Sequence, residues 1–278
     1  MAEVLAQWIG RSEAARDTPG SLRVAELAAT LDDPRSYPPG AELPPGWHWI
    51  LFHTVVPTGT LTVDGHAPRG SFLPPVELPL RMWAGGRLRL HGSLRVEEPV
   101  DRNSKIASVT EKTGRSGKLV FVTVQHHLRG SCGLAIEETH DIVYRQAGAG
   151  KPPPQPAPRA DPPWRKKIRA SEALLFRYSA LIFNAHRIHY DRDYARGEGY
   201  DGLVVHGPLI ATYLLELVRE RRPEARLAAF TYRAVSPLFD SEPFQVCGEP
   251  SPDGRSAEVW AVTPRGALAM AGRAEFAA

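Results

Sequence analysis

Apolar residues return at helical spacing in two stretches of the second half of the chain. Leu174, Tyr178, Leu181 and Ile182 share one face behind Ser171, a residue suited to cap a helix start. Ile210, Tyr213, Leu214, Leu217 and Val218 form a second stripe. It opens with Pro208, whose fixed φ suits a first helical turn, and closes on Arg219, Arg221 and Arg222 before Pro223. The pattern then changes to short alternating or apolar runs, LAAFTYRAV, FQVCGE, AEVWAVT and ALAMAGRAEF, which predict strands. In the first half, residues 22–31 predict a helix ending at Asp32-Asp33-Pro34. A strand is expected near Trp47–Val55, and others at Arg87–Val96, Lys105–Lys112, Lys118–Arg129 and Leu134–Tyr144. No exact repeat is present. Both halves nevertheless fit one plan, helix plus antiparallel sheet, as a divergent duplication would leave it.

Between the halves lies KPPPQPAPRADPP, residues 151–163, with seven prolines in 13 positions. Such a run neither continues a helix nor pairs inside a sheet, and it is expected to act as a stiff spacer. The expected organisation is an N-terminal domain over 1–147, a Pro-rich linker over 148–163 and a C-terminal domain over 164–278, in the α+β class. Composition narrows the function classes. With 42% hydrophobic and 23% charged residues the chain is globular. A net charge of +3 leaves no global footprint for a nucleic-acid partner. Two cysteines, Cys132 and Cys247, can neither staple the fold nor form a spaced metal-ligand pair, which suits a reducing, cytoplasmic compartment. The start of the chain has no basic segment followed by an apolar one, so no secretory signal is expected. The run LIATYLLELV at 209–218 is too short to span a bilayer and contains Glu216, so no membrane association is expected.

Three groups of residues could carry chemistry. Asn184, His186, His189 and Asp191 follow the 171–183 helix, where a histidine could exchange protons near neutral pH and an amide could hold a water. On spacing alone they read as readily as the polar surface of a loop. Two histidines and an aspartate could also ligate a metal, but no second spaced pair accompanies them, so no metal is expected. Val205-His206-Gly207-Pro208 opens the second helix, whose free backbone N–H groups could meet an anion or oxyanion, or simply make a turn. Arg81, Trp83, Gly85 and Gly86 could meet phosphates and a purine, although Arg87-Leu88-Arg89-Leu90 has the alternation of a solvated strand.

Taken together these pieces resemble the MaoC-like hydratase and dehydratase family, the (R)-specific enoyl-CoA hydratases. In that pattern a catalytic Asp precedes a catalytic His by five residues, a small residue follows six later, and a Val-His-Gly contributes an oxyanion-binding N–H. Here His189 falls on the histidine, Asn184 on the aspartate, Ala195 on the small residue and Val205-His206-Gly207 on the tripeptide. In the first half, Trp47-His48-Trp49, Asp64-Gly65-His66, Phe72-Leu73-Pro74-Pro75, Arg81-Met82-Trp83-Ala84-Gly85-Gly86 and Asp141-Ile142-Val143-Tyr144-Arg145 resemble two-domain members, among them 3-methylfumaryl-CoA (mesaconyl-CoA) hydratases and 3-hydroxyacyl thioester dehydratases. Leu31-Asp32-Asp33-Pro34 looks like a worn copy of the motif.

The resemblance implies a double hot-dog fold with a degenerate first unit that shapes the pocket. It further implies a hydro-lyase acting on a short enoyl-CoA, with no cofactor beyond the coenzyme A of the substrate. His189, Asn184 and Gly207 are the expected catalytic groups. Arg187, His186, His206, Arg81, Trp83, Gly85 and Gly86 are expected to contact substrate. Arg187, between the two histidines, could grip the carboxylate of a branched C5 substrate such as mesaconyl-CoA or pair with Asp191 or Asp193. A dehydratase acting on acyl-carrier-protein or CoA thioesters and a non-catalytic acyl-thioester binding protein are the alternatives. Pairing into a homodimer is left open.

Overall fold

The computed structural model describes residues 5–114, 117–146 and 154–277. Ten strands form one antiparallel sheet: β1 (Ser12–Asp17), β2 (Leu80–Leu90), β3 (Val100–Gly114), β4 (Gly117–Gly130), β5 (Gly133–Arg145), β6 (Trp164–Ile168), β7 (Leu227–Ala234), β8 (Phe244–Pro250), β9 (Ser256–Val262) and β10 (Leu268–Phe276). Their order across the sheet is β1-β3-β4-β5-β2-β7-β10-β9-β8-β6, so the two halves of the chain each supply five neighbouring strands. They join where Gly85–Arg89 of β2 pair with Arg233–Ala229 of β7. The alternation read from the sequence located seven of these strands, and the one expected at Arg87–Val96 overlaps only the last four residues of β2, which begins at Leu80. The other two, β1 and β6, are the outer edges, where SEAARD and WRKKI carry the polar and basic side chains that keep an edge from pairing further.

The helices are α1 (Ser21–Thr30), α2 (Glu172–Leu181), α3 (Arg192–Gly197) and α4 (Gly207–Arg221). Ser171 caps α2, its Oγ accepting from Leu174 N at 3.2 Å, and Pro208 sits in the first turn of α4 as expected. Every residue of α4 from Leu209 to Val218 is buried, Thr212 and Glu216 included. A helix apolar nearly all round must be enclosed, and α4 packs on β6, β8, β9, β10 and the end of β2. This is a helix wrapped by sheet. Among the described residues the first half has no helix of that length. In its place α1 packs against α2, and Trp47–Ile50 turns tightly as a 3₁₀ helix whose Trp47 and Ile50 enter the same core as α4.

That turn replaces the strand expected near Trp47–Val55. Gly46, at φ 86°, reverses the chain immediately before Trp47, and the apolar side chains plug a gap instead of lining a pleated face. The Pro-rich run differs from a free spacer too. Gln155 O accepts from Leu268 N at 2.7 Å and Ala157 N donates to Gly266 O at 3.2 Å, strapping it to the β9–β10 connection. Residues 147–153 lie outside the described residues. No helix among the described residues is long and apolar enough to cross a membrane.

Glu216 ties the halves together from inside α4. It accepts the Trp47 indole N–H at 2.8 Å, ion-pairs with Arg219 and lies 3.4 Å from Arg35. Arg219 in turn meets Asp33 at 2.9 Å. Glu216→Ala strands a buried indole N–H and unbalances Arg219. It is expected to lower stability by about 3–5 kcal/mol, whereas Glu216→Gln, which keeps an acceptor for Trp47, loses less. Urea unfolding of both variants checks this, and equal, small losses would mean that the network contributes little.

Candidate active site

The loop after α2 is built by local hydrogen bonding. Phe183 takes a left-handed φ of 51°, Asn184 N returns to Ser179 O at 2.8 Å, and Asn184 Oδ1 accepts from His186 N at 2.9 Å. The carbonyl of Asn184 therefore already serves the loop, and an aspartate would satisfy the same amide. A 3₁₀ turn over Arg187–His189 follows, and Asp191 caps α3 through Tyr194 N at 3.0 Å.

The turn carries His189 inward until it is 7% exposed. Its Nδ1 lies 2.7 Å from Val204 O, and a carbonyl can only accept, so Nδ1 carries the proton and Nε2 is the free base. The ring stacks on His206 with centroids 3.6 Å apart. His206 is buried as well, immediately precedes α4, and shares a hydrogen bond of 2.8 Å with Ser179 Oγ. Burial pushes His189 down to about 3, with His186 and His66 adding to it, and pushes His206 well below the usual imidazole range, with His189 and His186 adding. Both are neutral at pH 7. His206 thus backs His189 instead of facing the substrate as expected.

Gly207 is the first residue of α4, where a backbone N–H has no intrahelical carbonyl to meet. Trp83 lies directly over it: a Cβ on Gly207 would sit 3.0 Å from Trp83 Cε3. Trp83 stacks on Tyr232 at 4.5 Å and meets Trp49 and His140 edge-on. Arg81, two residues earlier on β2, projects to the same side. It lies beside Tyr144, and its charge is felt by His66 and His186. Neither Arg81 nor nearby Arg69, which donates to the carbonyls of Val76, Leu78 and Pro79 at 2.5–2.7 Å, has a carboxylate partner among the described residues.

Two expected contacts are corrected. Gly85 and Gly86 are buried in β2 and are not flexible phosphate binders. A Cβ would lie 2.6 Å from Tyr232 O at Gly85 and 2.2 Å from Tyr232 Oη at Gly86, so glycine is what lets β2 and β7 join. Arg187 does not face the pocket with an open fork. Nε and Nη2 both reach Asp191 Oδ2, at 3.0 and 2.7 Å, Nη1 reaches Val63 O at 3.2 Å, and the guanidinium lies over Tyr194.

His186 turns toward the first half of the chain, donating Nδ1–H to Asp64 O at 2.8 Å, and burial pushes it down to about 4. Asp64, His66 and His186 bring ligating atoms within 4.8 Å of one another, a candidate cation cluster. The uncompensated charges of Arg69 and Arg81 around it favour an anion instead. Glu138 went unread in the sequence. It is buried between His48 and His140, at 3.2 and 2.7 Å, takes the Trp49 indole N–H at 2.6 Å, and stands behind Trp83. The signal was a charge on the apolar face of a strand, in register with Ile136 and His140.

A sheet to which each half of the chain gives five strands, wrapped around α4, defines the double hot-dog fold. The fold is shared with a MaoC-like dehydratase from Phytophthora capsici (TM-score 0.71, 14% identity, 100% of this chain and 98% of that one). It is also shared with a Mycobacterium tuberculosis protein described as a double hotdog fold (TM-score 0.57, 13% identity, 97% and 96%). In sequence the chain is 45% identical to the mesaconyl-C(4)-CoA hydratase of Chloroflexus aurantiacus over 97% of this chain and 96% of that protein. The profile of hydroxyacyl-thioester dehydratase type 2 matches residues 46–240, and the chain belongs to that family.

Proposed function

We propose that the protein adds water reversibly across the α,β double bond of a short enoyl-CoA, with 3-methylfumaryl-CoA to citramalyl-CoA as the reaction it fits best. The observation that carries this is the pinned tautomer of His189, whose Nε2 is left free on a ring stacked on His206, the residue before Gly207 at the helix start. His189 Nε2 takes a proton from water as the oxygen bonds to the β carbon. The negative charge that develops on the thioester oxygen is met by the Gly207 N–H, with the dipole of α4 behind it. Asn184 holds its loop and can orient a water, but its amide transfers no proton.

The neighbours of His189 favour an anionic acyl group. His186 and then His66 follow its ring, Arg81 lies close enough for its charge to be felt by both, and an alkyl chain would leave that charge without a partner. A 3-methylfumaryl thioester carries a free carboxylate on its β carbon, and Arg81, half-buried without an acidic partner, suits that group better than Arg187 does. The name of the Chloroflexus relative supports the same substrate. Loss of absorbance at the enoyl-thioester band, measured with mesaconyl-CoA and crotonyl-CoA, tests the reading. Wild type should prefer mesaconyl-CoA, and Arg81→Met should lose most of that preference, about 2–3 kcal/mol for one charge-assisted contact. A preference for crotonyl-CoA, or an unchanged ratio in the variant, would sink the carboxylate assignment. The family description favours the reverse direction, dehydration of a 3-hydroxyacyl thioester, as the second reading.

A further inference from the structure

A turn from the first half of the chain docks on the His189 loop. Thr62 N donates to His66 O at 2.9 Å and Gly65 N to Thr62 O at 2.8 Å. Asp64 O receives the Arg187 N–H at 2.9 Å and the His186 Nδ1–H at 2.8 Å. Gly65, at φ 88°, comes so close that a Cβ would lie 1.8 Å from Ala185 O. The ion pair of Arg187 with Asp191 and its bond to Val63 O hold this junction, which explains the position of that guanidinium.

Inside the turn, Asp64 Oδ2 accepts His66 Nδ1–H at 2.8 Å, while Oδ1 accepts His66 N–H at 3.1 Å and the Thr62 hydroxyl. Burial opposes the charge of Asp64, but these hydrogen bonds hold its carboxyl well below the usual range. The His66 ring lies 4.1 Å from the His186 ring, which lies 5.6 Å from that of His189. With Nδ1 committed, Nε2 is the working nitrogen of His66. An imidazole backed by a half-buried carboxylate is arranged to stabilise an imidazolium.

We propose that Asp64 and His66 form a second acid–base unit of this site, with His66 acting on the α carbon. The inference rests on the hydratase reading. His189 Nε2 removes a proton from water as the C–O bond forms at the β carbon, and the π electrons move into the thioester as an enolate. The His66 imidazolium then gives its Nε2 proton to the α carbon, and the enolate electrons form that C–H bond. The proton held on His189 returns to His66 through His186 or solvent, so the sum is one water added. The groups facing His66 set its charge. Burial, Arg81 and Arg69 together hold His66 below the usual imidazole range even though Asp64 raises it; neutral His186 lies alongside. A substrate carboxylate against Arg81 cancels part of that repulsion, so an anionic acyl group promotes its own protonation.

The test compares wild type, His66→Gln, Asp64→Asn and His66→Gln/Asn184→Asp with mesaconyl-CoA and crotonyl-CoA across pH. Wild type should lose kcat on the alkaline side, a limb that reports the acid, over the range above about pH 6 where the fold holds. His66→Gln should lower kcat about 100-fold with KM changed less than threefold, and should lose the alkaline limb. Asp64→Asn, which keeps the shape of the turn, should move that limb to lower pH. The double variant, with a titratable carboxyl at position 184, should recover at least tenfold. If both single variants keep kcat within threefold and retain the alkaline limb, the pair is only a clamp and the proposal fails alone. A wild type inactive on both thioesters overturns the hydratase reading and the proposal with it.

Discussion

His189→Ala is expected to lower kcat/KM by about 10²–10⁴-fold, because it removes the base that takes the proton from water. The sequence alone placed His189 in a polar loop, where truncation should cost almost nothing. The structure revises that. The ring is buried, stacks on His206 and satisfies Val204 O, so alanine leaves a cavity and an unpaired carbonyl worth about 1–3 kcal/mol. For a chain of this length the melting temperature should fall by several degrees while secondary structure is retained at 25 °C. Turnover and thermal unfolding must be read together. A variant that melts a few degrees early yet hydrates at the wild-type rate would mean that His189 is a packing residue. A folded variant with no turnover supports the base.

The contrast shows which parts of the site a sequence can carry. Local geometry was legible because it is written in consecutive residues. The Ser171 cap and Pro208 at a helix start both appear in the structure where the chain pattern puts them. Contacts across the chain were not. The spacing of Arg187 between two histidines is the same whether its guanidinium meets a substrate carboxylate or Asp191, and only the docked turn at Val63 and Asp64 decides it. Gly85 and Gly86 read as flexibility, because nothing in their neighbourhood announces that β7 and Tyr232 press against them from more than 140 residues away. The absence of a long helix in the first half was also hidden. Trp47-His48-Trp49-Ile50 is apolar enough for a strand, and Gly46 with its left-handed φ sends it into a tight turn instead.

Acid should unfold this protein well before its carboxylates titrate. Five histidines are held below the usual imidazole range: His189 and His126 are pushed down to about 3, His186 to about 4, and His206 and His66 also fall, with burial the leading cause at each. In the unfolded chain a histidine binds its proton near pH 6.5. For a group whose folded value is depressed in this way, the unfolded state holds the extra proton at every pH between the two values. Its contribution is fully present above about 6.5 and drains away as pH falls toward 3–4. Each such group adds up to about 1.4 kcal/mol of lost stability per pH unit, against a total that is ordinarily 5–15 kcal/mol. Asp33, Asp64 and Glu138, all held below the usual carboxylate range, withdraw support only below about pH 4, so the window from 6.5 to 4 belongs to the histidines. The urea midpoint should therefore be flat from pH 8 to 7 and collapse between about 6 and 4. His126 offers a control away from His189, since its Nδ1 bonds Ser104 Oγ at 2.8 Å within the first half of the sheet. His126→Gln should make the collapse shallower by about one proton. A midpoint that stays level to pH 4.5 would show that these rings accept protons in the folded state, and the neutral base assigned to His189 would have to be abandoned.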